Sequence, residues 1–156
     1  MVAVIILILL LVIELTYSFS SELTRGYCNT PLDSGTIMMG EEVVKSSQYS
    51  IRVIRYNDEE LISNESFFNP NGETLRVALN KLVFQVVFEV SKGAKFINGS
   101  CASEIRTNIY RNASLVIPPS HDENIVIKAV WAHSYGTVFL TEDFILKKKF
   151  ESDMDL

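Results

Sequence analysis

From residue 36 onward, apolar side chains recur at a spacing of two rather than three or four. That is the period of a strand with one buried face. Ile51 and Val53 alternate in SIRVIRY, and Leu75, Val77 and Leu79 alternate in TLRVAL. Phe84, Val86, Phe88 and Val90 alternate in VFQVVFEV, with Gln85 and Glu89 on the opposite face. The face carrying the two phenylalanines is the expected core face. SLVIP, NIVIKAVWA and TVFLTEDFILK predict three more strands, the last two joined by HSYG. The best helical window, EEVVKSSQ at 41–48, is short and uncapped.

Turn chemistry separates these runs. In FNPNGETL, Pro70 fixes φ and Asn71-Gly72 can take the positive-φ positions of a tight turn. Pro118 and Pro119 end the preceding strand for want of amide donors. Gly93 and Gly99 let the chain leave the sheet on either side of AKFI. About seven short strands between such turns predict an all-β fold, an immunoglobulin-like antiparallel β-sandwich.

At 156 residues, 47% apolar and 21% charged, the chain is of one-domain size and is not generally disordered. Its first stretch, MVAVIILILLLVIELTYSFSSE, is apolar from Val2 to Ile13 and ends in small residues spaced like a signal-peptidase site. The apolar run falls short of the roughly 20 residues a membrane-spanning helix needs. The expected organisation is therefore a signal peptide over 1–20, a sandwich domain over 21–147 and a charged tail over 148–156. An uncleaved leader acting as a membrane tether is the alternative. Cleavage removes one carboxylate, Glu14, and no cation, so the net charge moves from -5 to -4. No broad basic surface results, which argues against nucleic acid. Lys147-Lys148-Lys149 is screened by Glu151, Asp153 and Asp155.

Two cysteines remain, Cys28 and Cys101. Behind a signal peptide they have one intramolecular pairing, with a bridge between chains as the alternative. Closing a loop of about seventy residues stabilises a fold by about 4 kcal/mol in the chain-entropy picture.

Several segments together resemble the reeler domain found at the N-terminus of reelin. They are a Cys soon after the leader, N-P-N-G-E-T-L-R-V, F-Q-V-V-F-E-V, G-A-K-F followed by G-S-C, and I-K-A-V-W-A-H-S-Y-G-T-V-F-L. The likeness runs from about Cys28 to Leu146. It implies a secreted or extracellular β-sandwich with a binding or adhesion role and no chemistry of its own. Cys28 and Cys101 match that family's first cysteine pair, the later pair of many members is missing, and no redox role carries over.

Candidate chemistry is sparse. His121 and His133 stand in different elements without ligand-spaced partners, so neither a zinc site nor any other cofactor is expected. His121-Asp122-Glu123 reads as a polar turn. His133-Ser134 places an imidazole beside a hydroxyl, the basis of a competing reading as a small extracellular hydrolase, but with no nucleophile elbow or orienting acid no catalytic residue is assigned. Asp58-Glu59-Glu60 reads as a solvated hairpin tip rather than a calcium site. Trp131 with Tyr135 forms a possible ligand face, set against the commoner fate of tryptophan in a core. Sequons begin at Asn64, Asn98 and Asn112, all in predicted loops or strand ends. The expected partner is an extracellular glycan, lipid or protein, with a membrane involved only if the leader is retained.

Overall fold

A computed structural model describes residues 28–33, 42–83, 85–101, 103–107, 112–133 and 136–149. The leader, Phe84, Ser134, Tyr135 and the tail from 150 lie outside the described residues. Ten strands and no helix form within them: β1 (Glu42–Lys45), β2 (Ile51–Ile54), β3 (Glu60–Leu61), β4 (Glu73–Leu79), β5 (Gln85–Val90), β6 (Lys95–Phe96), β7 (Asn112–Ile117), β8 (Ile125–Ala132), β9 (Thr137–Leu140) and β10 (Phe144–Leu146). Among the described residues no helix is long and apolar enough to cross a membrane.

One sheet has the order β3-β2-β4-β7-β6, and each of its pairings is antiparallel. In the other, β5 lies along one edge of β8, β9 and β10 share the other edge, and β1 lies beyond β9. The inward positions are those picked out by the period of two. Ile51 and Val53, then Leu75, Val77 and Leu79, Leu115 and Ile117, and Phe96 come from the first sheet. They meet Val86, Phe88, Val90, Ile125, Ile127, Ala129 and Trp131 from the second. Each fully enclosed large side chain contributes about 1.5–3 kcal/mol of transfer free energy.

Three expectations are corrected. The 41–48 window contains strand β1, and β1 runs parallel to β9, from Glu42 opposite Thr137 to Lys45 opposite Leu140, so this second sheet is mixed rather than wholly antiparallel. TVFLTEDFILK is not one strand. Between the pairs Val130–Leu140 and Ile127–Phe144 it has one residue more than β8, a bulge at which both the amide and the hydroxyl of Thr141 donate to the Ala129 carbonyl. In the turn before β4, Gly72 alone has positive φ (84°) and Asn71 does not. There the Gly72 amide donates to Asn69 O at 3.0 Å with Pro70 in the second position, a type I arrangement. A Cβ on Gly72 would stand 2.9 Å from Pro119 N, so glycine also admits the double proline closely.

The strand β5 departs from simple alternation. Val87 is buried as deeply as Val86 and Phe88 because the outer face of its sheet carries a second, smaller core of Leu32, Val87, Val130, Ala132 and Val138, flanked by Val43, Leu140 and Cys101. The cover is a strap, residues 28–33, held in three ways. Cys28 is disulfide-bonded to Cys101, Leu32 is buried in the cluster, and Arg106 Nη1 donates to Thr30 O at 2.7 Å. Arg106, itself buried, also pairs with Glu89 on β5. Its segment runs along the free edge of β5, with Thr107 N bonded to Phe88 O, Phe88 N to Thr107 Oγ1, and Val90 N to Ile105 O. An edge that would otherwise offer unpaired amides is thereby closed.

Candidate functional site

Apart from the cysteines and the sequons, the residues singled out by sequence separate into three places. At one end of the sandwich, Tyr49 meets Trp131 edge-on (centroids 4.3 Å apart), Phe139 stacks on Trp131 (4.3 Å), and the Tyr49 hydroxyl is 3.0 Å from His133 Nε2. Lys81 Nζ sits 5.4 Å from the Tyr49 ring centroid, within cation–π range. Trp131 is fully enclosed. It therefore cannot present a ligand face, because its position on β8, opposite Val86 and Phe139, points it into the core. Its proposed companion Tyr135 lies outside the described residues, as does Ser134. At Nε2, His133 meets the phenol of Tyr49, and no carboxylate is bonded to it among the described residues.

His121 packs its ring against Phe68 and over Gly93, where a Cβ would come 2.5 Å from the imidazole. Its buried Nε2 has no hydrogen-bond partner among the described residues. Asp122 and Glu123 point to solvent beside it. Among the described residues no three His, Cys, Asp or Glu side chains converge on a metal-sized site.

The acidic triplet lies in the β2–β3 hairpin, and arginines take up its carboxylates. Asp58 pairs with Arg76, Glu59 with Arg55, and Glu60 with Arg52 through two contacts of 2.8 and 2.9 Å. The hydrogen bond from Arg52 holds the Glu60 carboxyl below its ordinary value, and that from Arg55 does the same for Glu59. Arg55 is anchored further by Glu73 at 3.0 Å, whose hydrogen bond raises its pKa, and by donation to Phe67 O at 2.7 Å.

That anchored guanidinium forms one wall of an open groove of about 470 Å³, lined also by Glu59, Phe67, Asn69, Pro70 and Lys149. Phe67 is 39% exposed there, and Tyr56 on the neighbouring turn is 70% exposed. The groove thus sets an aromatic face beside an amide, a carboxylate and two cations. The sequence carries only one trace of it, in SFFNP. In an extended segment consecutive side chains point to opposite faces, so only one of Phe67 and Phe68 can enter the core. Phe68 does, and Phe67 is left at the surface.

The three sequon asparagines are all exposed. Asn64 and Asn98 sit on turns with φ of 63° and 55°, and Asn112 opens β7 opposite Ala78 on the outer face of its sheet.

The sequence matches no family model and no curated protein sequence. Its structure is similar to solved ones. The human F-spondin reeler domain superposes with a TM-score of 0.50 at 12% identity, over 71% of this chain and 95% of that one. A Reelin-N domain of F-spondin gives 0.45 at 12% identity, over 72% and 94%. The fold of this chain is that of a reeler domain.

Proposed function

We propose that this reeler-fold chain is an extracellular, non-enzymatic binding module, released once its leader is removed, whose ligand is a glycan held in the groove beside Phe67. The carrying observation is the composition of that groove: an exposed aromatic ring flanked by Asn69, Glu59, Lys149 and an Arg55 immobilised by Glu73 and the Phe67 carbonyl. Sugar rings offer an apolar C–H face and a rim of hydroxyls. An aromatic face with planar polar side chains around it serves both, and an arginine already fixed in place loses little entropy on binding.

Two further points support the reading. The Cys28–Cys101 disulfide persists in an oxidising compartment. The extracellular role implied by the resemblance to reeler domains agrees with it. Purified mature protein probed on an array of glycans and lipopolysaccharides is expected to bind a subset, with Phe67→Ala weakening binding about tenfold or more. Binding to nothing on the array, or binding indifferent to Phe67→Ala, overturns the groove as the site. N-terminal sequencing of secreted material is expected to begin near Ser21. An intact Met1 in a membrane fraction would instead assign a tethered ectodomain.

A further inference from the structure

Five large apolar side chains stand exposed among the described residues, and two of them adjoin sequon asparagines: Ile62, 57% exposed, precedes Asn64 by two positions, and Ile97, 50% exposed, precedes Asn98 by one. Both asparagines occupy turns in the left-handed region. Asparagine tolerates that backbone better than most residues, which accounts for an asparagine at each position. It does not account for an isoleucine left in water beside each one.

The turns themselves are firmly built. At the first, the amides of Glu65 and Ser66 both donate to Ile62 O, Ile62 N donates to Ser66 Oγ, and Asn64 N reaches Ile145 O at 2.9 Å. At the second, Ile97 N donates to Ser114 O at 2.8 Å and Gly99 N to Phe96 O, while a Cβ on Gly99 would meet Glu104 O at 2.7 Å. Each isoleucine is thus held at the surface by its own backbone bonds rather than awaiting a place in the core.

We infer that Asn64 and Asn98 carry N-linked glycans and that the first sugars cover Ile62 and Ile97. The reaction joins the Asn side-chain nitrogen to the anomeric carbon of an oligosaccharide carried on a polyprenyl pyrophosphate. The C–N bond forms as the C–O bond to pyrophosphate breaks, the amide gives up one proton, and the polyprenyl pyrophosphate leaves. A transferase of the secretory pathway supplies the donor, so the inference rests on the extracellular reading above. The covering follows from chemistry: N-acetylglucosamine presents apolar C–H surface and a methyl group, and the linkage holds that surface within reach of a residue one or two positions away.

The full chain expressed in glycosylating eukaryotic cells tests this, alongside a second version whose residues 1–20 are replaced by an efficient signal sequence. Intact-mass and peptide mapping after glycosidase treatment in isotopically labelled water reads each asparagine. The expected result is glycan on Asn64 and Asn98, with one glycan-sized step lost in each of Asn64→Asp and Asn98→Asp and both steps lost in the double variant. Aspartate keeps the left-handed turn while removing the acceptor. Deglycosylation should raise binding of an apolar dye, and Ile62→Ser with Ile97→Ser should abolish that rise. Unmodified Asn64 and Asn98 in secreted protein overturn the inference and leave the extracellular reading standing. Dye binding that ignores deglycosylation overturns the shielding. Retention of the first version inside the cell, with the second secreted and glycosylated, overturns the reading of the natural leader while supporting the sites.

Discussion

The two cores of this molecule are built on different principles. The inner one lies between the sheets, takes a contribution from nearly every strand, and contains Trp131, Phe88, Phe96, Leu75 and Leu115, with no covalent tie among them. The outer one has four buried residues on one face of one sheet, Val87, Val130, Ala132 and Val138, under a strap that adds Leu32 and is held by a disulfide, that leucine and a guanidinium. Area alone suffices for the first, since dense packing between two sheets removes large surfaces from water. The second is too small to order six residues of chain by burial alone, since each residue fixed costs roughly 1–2 kcal/mol of backbone entropy. A covalent link that restricts the unfolded chain, together with Arg106, offsets that cost.

The largest effect is expected from the inner core. Trp131→Ala strips Tyr49 and Phe139 of their ring partner as well as leaving a cavity, and should cost about 5 kcal/mol, read as a shift of the urea midpoint. Removing the tie of the outer core, with Cys28→Ser and Cys101→Ser together, should cost about 4 kcal/mol. That corresponds to a fall in melting temperature of about 15 °C. A melt indifferent to the loss of both cysteines would break the comparison.

Arg106→Met removes the donor to Thr30 O and leaves Glu89, itself mostly buried, without its cation. A cost of about 2–3 kcal/mol is expected by chemical denaturation, with loosening concentrated in the strap. A loss spread evenly over both sheets would place Arg106 in the inner core's account instead.

The smallest effect is expected on the polar face of the β2–β3 hairpin. Arg52→Ala should leave stability at neutral pH within measurement error, because exposed ion pairs contribute little. Its signature lies in acid. Glu60, held below its ordinary 4.5 by the hydrogen bond from Arg52, contributes stability that is present above the unfolded value and is lost as pH falls through the folded one. Thermal melts followed downward from pH 6 to about 3 should therefore show a shallower decline in the variant.

The contrast between the cores also explains what could be read from sequence. Ile51, Val53, Leu75 and Val77 alternate with more exposed neighbours, and a sheet with one wet face declares itself by that alternation. Val87, Val130 and Ala132 belong to strands buried on both faces, where alternation vanishes and a continuous apolar run carries no information about what covers it. The cover is remote in sequence, at residues 28–33. Cysteine count located the tie, but no local pattern revealed Leu32 or Arg106. The parallel pairing of β1 with β9 was hidden for the same reason, since register between distant strands is set by tertiary packing. At the groove, the doubled phenylalanine of SFFNP was the readable trace, whereas the approach of Lys149 to Arg55 and Asn69 depends on the isolated bridge between Phe67 and Lys147. For Trp131 both a ligand face and the commoner core fate were open, because composition cannot tell the inward from the outward residues of a strand as apolar as VWA; its burial decides for the core.

Amide hydrogen exchange by mass spectrometry, comparing oxidised protein with protein reduced and capped at Cys28 and Cys101, tests the two-core account most directly. Under native conditions the peptide spanning 28–33 should lose its protection on reduction, together with the 105–107 segment that Arg106 carries, while peptides from β4 and β7 keep theirs. Strap protection unchanged by reduction, or exchange rising equally in the strap and in β4 and β7, would contradict it.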